Sequence, residues 1–242
     1  MIKILDLPFF EEDISACFKV LAKDKGLLTA PSGPGLASIP YEPVYYKAIQ
    51  NSDILIPDSG YMVLIWNLIS KNKIKRLSGL EFINYFVAEF PKGNYGKLLL
   101  VNPTRDEQDA NLNYLQSLGI QITEEDCYLA PFYGKNVEDS TLLALLEIKR
   151  PDWILINIGG GTQEILGSYL KNNLSYKPAL ICTGAAIAFK TGKQVDIPVW
   201  ADQLYLGWLF RILSSPSKYY KRYLEAIPLA SLLIKYKDKA VS

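Results

Sequence analysis

Four short stretches of this chain are apolar at nearly every position: residues 53–57, 97–101, 153–158 and 178–182. A strand with one wet face alternates apolar and polar residues, so a strand apolar throughout is covered on both faces. Segments with helical spacing lie between these stretches. Residues 106–118 are closed by Gly119, and residues 139–149 are closed by Pro151. A third helix is expected to open at Ser78 or Gly79 and run through Phe90. Strand and helix in alternation predict an α/β fold: a Rossmann-like, mostly parallel sheet with helices on both faces.

The pattern changes after Pro198. The remaining residues keep helical apolar spacing but interleave aromatic and basic side chains, with breaks at Pro216 and Pro228. Two domains are therefore expected: an α/β body over residues 1–197, and a C-terminal helical, amphipathic appendage over residues 198–242. The charge is divided in the same way. Residues 211–239 carry seven basic and two acidic side chains, an excess of +5, so a total of +1 leaves about −4 on the rest.

Other features exclude whole classes of chemistry. There is no histidine, so neither a Ser-His-Asp nor a Cys-His nucleophile system can be built, and any general base is Asp, Glu, Lys, Tyr or a perturbed Cys. Cys17, Cys127 and Cys182 are odd in number and far apart, which fits a reducing compartment and neither a disulfide framework nor a clustered zinc site. No stretch approaches the ~18 apolar residues of a membrane span, and the opening residues lack the apolar run of a signal peptide. A cytoplasmic protein is expected.

Four elements carry candidate chemistry. Residues 154–158 run into Gly159, Gly160, Gly161, Thr162, Gln163 and Glu164; the glycines admit close backbone approach, and free N–H groups at a helix start favour a diphosphate. A glycine-rich turn with no ligand is the alternative. Asp58, followed by Ser59 and Gly60, stands just past the carboxyl end of a predicted strand, where ligands of open α/β sheets bind. It faces a substrate, or else it caps the next helix. Arg76 is a phosphate partner or a solvated surface cation. In the tail, Trp208, Arg211, Lys218, Lys221 and Arg222 suit anionic lipid headgroups or a lipid-linked diphosphate. A solvated helical face is the alternative there. The acidic balance elsewhere and the lack of any nucleic-acid fold signature argue against a nucleic-acid partner.

Taken in order, these elements resemble the WecG/TagA/CpsF glycosyltransferases from about Thr29 to Leu224. Asp58-Ser59-Gly60 is similar to the family's Asp-Gly motif, and Arg76-Leu77-Ser78-Gly79 to its Arg-x-x-Gly segment. Pro151-Asp152 through Gln163-Glu164 resembles its Pro-Asp strand with a Gln-Glu loop, and Trp208 through Arg222 its closing cationic signature. The resemblance implies inverting, metal-independent transfer of a sugar, N-acetylmannosamine in the best-known members, from a UDP-sugar to a polyprenyl-diphosphate-linked acceptor. It implies Asp58 as catalytic base and Thr29, Ser32, Ser59, Gly60, Arg76, Gly159, Gly160, Gly161, Gln163 and Glu164 as substrate-binding residues. Trp208, Arg211, Lys218, Lys221 and Arg222 would meet the acceptor or the inner face of the cytoplasmic membrane. No cofactor or metal is expected, and both a monomer and a homo-oligomer are compatible.

Four positions depart from the family pattern. Thr29-Ala30-Pro31 stands for Thr-x-Asn, which removes one contact or moves it to Ser32. Thr162 replaces a proline, Ala188 an aspartate, and Gly207 the glutamate of a Glu-Trp pair. The rival functions are a non-catalytic nucleotide-sugar binder or scaffold, and a nicotinamide-dependent enzyme using the glycine turn.

Overall fold

The structure is a computed structural model that describes residues 1–134, 136–184, 186–192 and 224–241, together with Leu213, Pro216, Tyr220 and Lys221. The chain opens with a hairpin, β1 (Ile2–Ile4) and β2 (Leu7–Phe9), followed by α1 (Ile14–Asp24) and β3 (Gly26–Thr29). Next come α2 (Gly33–Ala37), α3 (Pro43–Gln50), β4 (Ile54–Leu55), α4 (Gly60–Ile69) and α5 (Gly79–Glu89). The second half adds β5 (Leu98–Asn102), α6 (Arg105–Ser117), β6 (Cys127–Leu129), α7 (Ser140–Lys149), β7 (Trp153–Ile156), α8 (Thr162–Asn173), β8 (Ala179–Cys182) and α9 (Leu229–Tyr236).

Among the described residues, eight strands form one sheet in the order β1-β2-β4-β3-β8-β7-β5-β6. Only the hairpin pair is antiparallel; every other neighbour is parallel. The expected doubly covered parallel sheet is thus present, and the four apolar stretches are β4, β5, β7 and β8.

Their all-apolar character follows from two cores fed alternately. Leu28, Leu98, Leu100, Trp153, Leu155, Ala179 and Ile181 point to one face, where they meet Phe18 and Leu21 of α1, Phe82 and Phe86 of α5 and Leu115 of α6. The intervening Leu27, Leu99, Val101, Ile154, Ile156, Leu180 and Cys182 point to the other face, toward Leu142 and Leu146 of α7 and Leu166 and Leu170 of α8. Successive strand residues face opposite ways, so a strand with helices on both sides has no polar position to offer. Trp153 anchors the first core. Its ring stacks on Phe18 at 5.5 Å between centroids and meets Phe86 at 5.6 Å.

A third cluster sits at the hairpin end of the sheet and joins both ends of the chain. Ile4, Leu7 and Phe9 pack with Leu36, Ile49, Met62 and Trp66, and with Leu229 and Leu233 of α9. The N–H of Leu5 donates to the Lys237 carbonyl at 2.7 Å, which ties the hairpin to the end of α9. The final helix is therefore built into the body.

Helix ends follow local chemistry. Thr104 accepts from Glu107 N–H at 3.2 Å to start α6, and Gly119 just beyond it takes φ +82°. Asp139 accepts from Leu142 N–H at 2.8 Å to start α7. That helix ends at Lys149, two residues before Pro151, where Arg150 turns left-handed at φ 45°.

Candidate functional site

Parallel strands place their carboxyl ends on one edge, and β4, β3, β8 and β7 are consecutive in the sheet. The Asp58 loop after β4 and the glycine turn after β7 therefore open on the same edge. Three strand spacings separate them, roughly 14 Å.

Asp58 belongs to the loop, and the neighbouring Ser59 caps α4 by accepting from Met62 N–H at 3.2 Å. Asp58 instead reaches across to α5, where its Oδ1 accepts from the N–H of Gly79 at 2.9 Å. Arg76 supports the same loop from two sides. Its Nε donates to the Asp58 carbonyl at 2.7 Å, and its Nη2 lies 3.8 Å from Oδ1. The Asp58 side chain is 29% exposed and Arg76 16%. Oδ2 of Asp58 has no hydrogen bond among the described residues, so one oxygen is anchored and the other is uncommitted.

Gly79 packs closely enough that any side chain there would press on its neighbour. A Cβ there would lie 3.1 Å from both Cβ and the carbonyl oxygen of Thr183, which follows β8. Ser78 caps α5 through Glu81 N–H at 3.0 Å. Next to Thr183, the N–H of Gly184 donates to Gln163 Oε1 at 2.8 Å. Nε2 of Gln163 donates in turn to Glu164 Oε1 at 3.1 Å, and Glu164 Oε2 accepts from Gly161 N–H at 2.7 Å. Direct contacts thus run without a break from Asp58 through Gly79, Thr183, Gly184, Gln163 and Glu164 to the glycine turn.

Within that turn Gly159 and Gly160 are exposed, while Gly161 has φ +92°, a conformation that favours glycine. Glu164 occupies the N–H of Gly161. The N–H groups of Gly159, Gly160 and Thr162 have no acceptor among the described residues, and they lie where the α8 dipole favours an anion.

Other expected contact residues are placed differently. Gln163 and Glu164 are each only 1% exposed, and their side chains bond to protein groups. They shape the turn from below. Thr29 is fully buried, its hydroxyl bonded to that of Ser52 at 2.8 Å. Ser32 remains half-buried as the cap of α2, accepting from Gly35 N–H at 3.3 Å. A Cβ on Gly33 would lie 3.0 Å from Ser59 Oγ and 3.6 Å from Ala226 Cβ, so α2, the α4 cap and the segment before α9 converge there. Gly60 is half-buried at the first position of α4, and Lys221 is exposed. Trp208, Arg211, Lys218 and Arg222 lie outside the described residues, as does Gly207.

Residues 2–241 match the glycosyl transferase WecG/TagA/CpsF family. The chain belongs to that family. Membership makes it a glycosyltransferase of cell-surface polysaccharide synthesis, a class that joins a nucleotide-sugar donor to a lipid-linked acceptor. No curated protein matches the chain. Among the described residues, no helix is long and apolar enough to cross a membrane, and no cluster of three or more Cys, Asp or Glu could hold a metal ion.

The sheet edge of this family member also holds polar residues that motif reading passed over. Asn102 ends β5 and Asn157 follows β7, both buried, and Oδ1 of Asn102 accepts from Asn157 Nδ2 at 3.2 Å and from Asn111 Nδ2 of α6 at 2.8 Å. Thr183 is the corresponding polar residue after β8. The available signal was an amide or hydroxyl at the end of an otherwise apolar run, because a doubly covered strand tolerates polarity only where it reaches the ligand edge.

Proposed function

We propose that the protein is an inverting, metal-independent glycosyltransferase that takes a sugar, N-acetylmannosamine or a related hexose, from a UDP-sugar. The acceptor is linked to polyprenyl diphosphate at the inner face of the cytoplasmic membrane. Asp58 takes the proton of the acceptor hydroxyl as its oxygen attacks the anomeric carbon. The bond from that carbon to the β-phosphate oxygen breaks on the opposite face, and its electron pair leaves with UDP. The free N–H groups of the glycine turn and the Arg76 guanidinium meet the charge that develops on the departing diphosphate. Ser32, Ser59 and Gly60 line the sugar side near Asp58; Thr29, Gln163 and Glu164 hold the framework beneath. Trp208, Arg211, Lys218, Lys221 and Arg222 bind the acceptor diphosphate or the lipid surface.

The observation that supports this reading most is the unbroken contact path from Asp58 to Gly161 along one sheet edge. A base and a diphosphate cradle on the same edge match what displacement at a phosphate-linked carbon needs. A thermal-shift panel of nucleotides and nucleotide sugars tests it: UDP and UDP-sugars raise the melting temperature, whereas NAD leaves it unchanged. Stabilisation by NAD with none by UDP would overturn the assignment.

A further inference from the structure

Among the described residues, five buried side-chain atoms lack a hydrogen-bond partner: Asn102 Nδ2, Asn111 Oδ1, Asn157 Oδ1, the Tyr176 hydroxyl and the Thr183 hydroxyl. The three asparagines already bond to one another through their remaining amide atoms. Thr183 is different, because its single polar group is wholly unused although the residue is only 9% exposed. A buried hydroxyl without a partner opposes folding, and such groups are retained in native proteins where a ligand or water completes them.

Its position identifies the ligand chemistry. Thr183 follows β8, which lies between β3 and β7, so it stands between the Asp58 loop and the glycine turn. It packs against Gly79, the first residue of the 11-residue helix α5, and a side chain at position 79 would close over it. The amino end of α5, whose dipole favours an anion, and a residue with an uncommitted O–H donor are therefore neighbours on this edge. Arg76, 3.8 Å from the Asp58 carboxylate, offsets the negative charge nearby.

We infer that the Thr183 hydroxyl donates a hydrogen bond to a phosphate oxygen of the leaving UDP, as a substrate-contacting residue of the transfer step. This rests on the function proposed above. The threonine keeps its proton throughout. The proton released by the acceptor hydroxyl goes to Asp58, and the electron pair of the broken carbon–oxygen bond goes to the UDP oxygen that Thr183 stabilises.

The test is titration calorimetry of the full chain with UDP, alongside thermal melting, for the wild type, Thr183→Val and Thr183→Ser. Valine keeps the branched shape and removes only the hydroxyl. The expected result is a loss of UDP affinity of roughly tenfold or more in Thr183→Val, as for one hydrogen bond to a charged group. Thr183→Ser regains most of it, and the melting temperature of Thr183→Val is unchanged or higher, because no intramolecular bond is lost. Unaltered UDP affinity in Thr183→Val overturns this inference and leaves the function standing. A clear drop in melting temperature also overturns it, since the hydroxyl would then be structural. Failure of the wild type to bind UDP overturns both.

Discussion

Replacing Asp58 by Asn separates catalysis from architecture, because the two contributions differ in size. Asparagine keeps an oxygen where Oδ1 accepts from Gly79 N–H at 2.9 Å, so the link to α5 survives. What disappears is the negative charge 3.8 Å from Arg76. At an effective dielectric of about 20 the gross Coulomb attraction at that distance is about 4 kcal/mol. Partial exposure of both groups and the cost of desolvating them reduce the net loss to about 1–2 kcal/mol. For a chain of this size that lowers the melting temperature by about 2–8 °C. Loss of a general base, by contrast, slows turnover by about 10²–10⁴-fold, equivalent to about 3–5 kcal/mol of barrier. The assay is UDP release with a donor identified by the nucleotide-sugar panel, run beside thermal melting and UDP binding. The expected variant is folded, binds UDP and turns over at least about a hundredfold more slowly. Turnover within a factor of about three of wild type would refute the base assignment. A melting temperature lower by more than about 15 °C would refute the partition, because Asp58 would then be mainly a fold element.

Two further outcomes concern the supporting structure. Glu164→Ala leaves the buried Gln163 Nε2 and the half-buried Gly161 N–H without their acceptor, at up to about 1–3 kcal/mol each. Urea unfolding should therefore register a loss of about 2–6 kcal/mol, and a loss below about 1 kcal/mol would mean that the glycine turn holds its shape unaided. Tyr128 donates to Asp139 at 2.9 Å, and burial together with that carboxylate pushes its phenol up to about 12. The folded state thus keeps the proton that the unfolded chain releases near 10. The resulting stability is complete below pH 10 and is lost as pH rises through about 12. Urea midpoints measured across that window should fall less steeply in Tyr128→Phe than in wild type; identical slopes would contradict the proposed coupling.

Much of the fold was legible because burial on both faces writes itself into sequence as uninterrupted apolar runs. β4, β5, β7 and β8 could be read in that way, as could α5, α6, α7 and α8 from their caps and spacing. β3 is fully buried but sets only Leu27 and Leu28 between Gly26 and Thr29, and β6 is partly exposed, so neither produces the same signal. The β1–β2 hairpin turns through Leu5 and Asp6 at φ 53° and 62°, positions where glycine or asparagine would have announced the turn. Asp58 and the glycine turn were legible as motifs, whereas their linkage was not. It depends on Gly79 meeting Thr183, two residues more than a hundred positions apart that only the strand order brings together. The inward placement of Gln163 and Glu164 was hidden for a similar reason. Periodicity places both in the first turn of a helix without saying that this turn faces the interior.

The meeting of Gly33, Ser59 and Ala226 gives the C-terminal segment a mechanical role. Ala226 leads into α9, which is wedged against α4, and α4 begins one residue after the cap that follows Asp58. The packing is close, since an added carbon at Gly33 would crowd Ser59 Oγ at 3.0 Å and rest against Ala226 Cβ at 3.6 Å. A sideways push on residues 224–228 is therefore delivered to the loop that carries the Asp58 carboxylate, which couples the setting of that loop to the seating of α9.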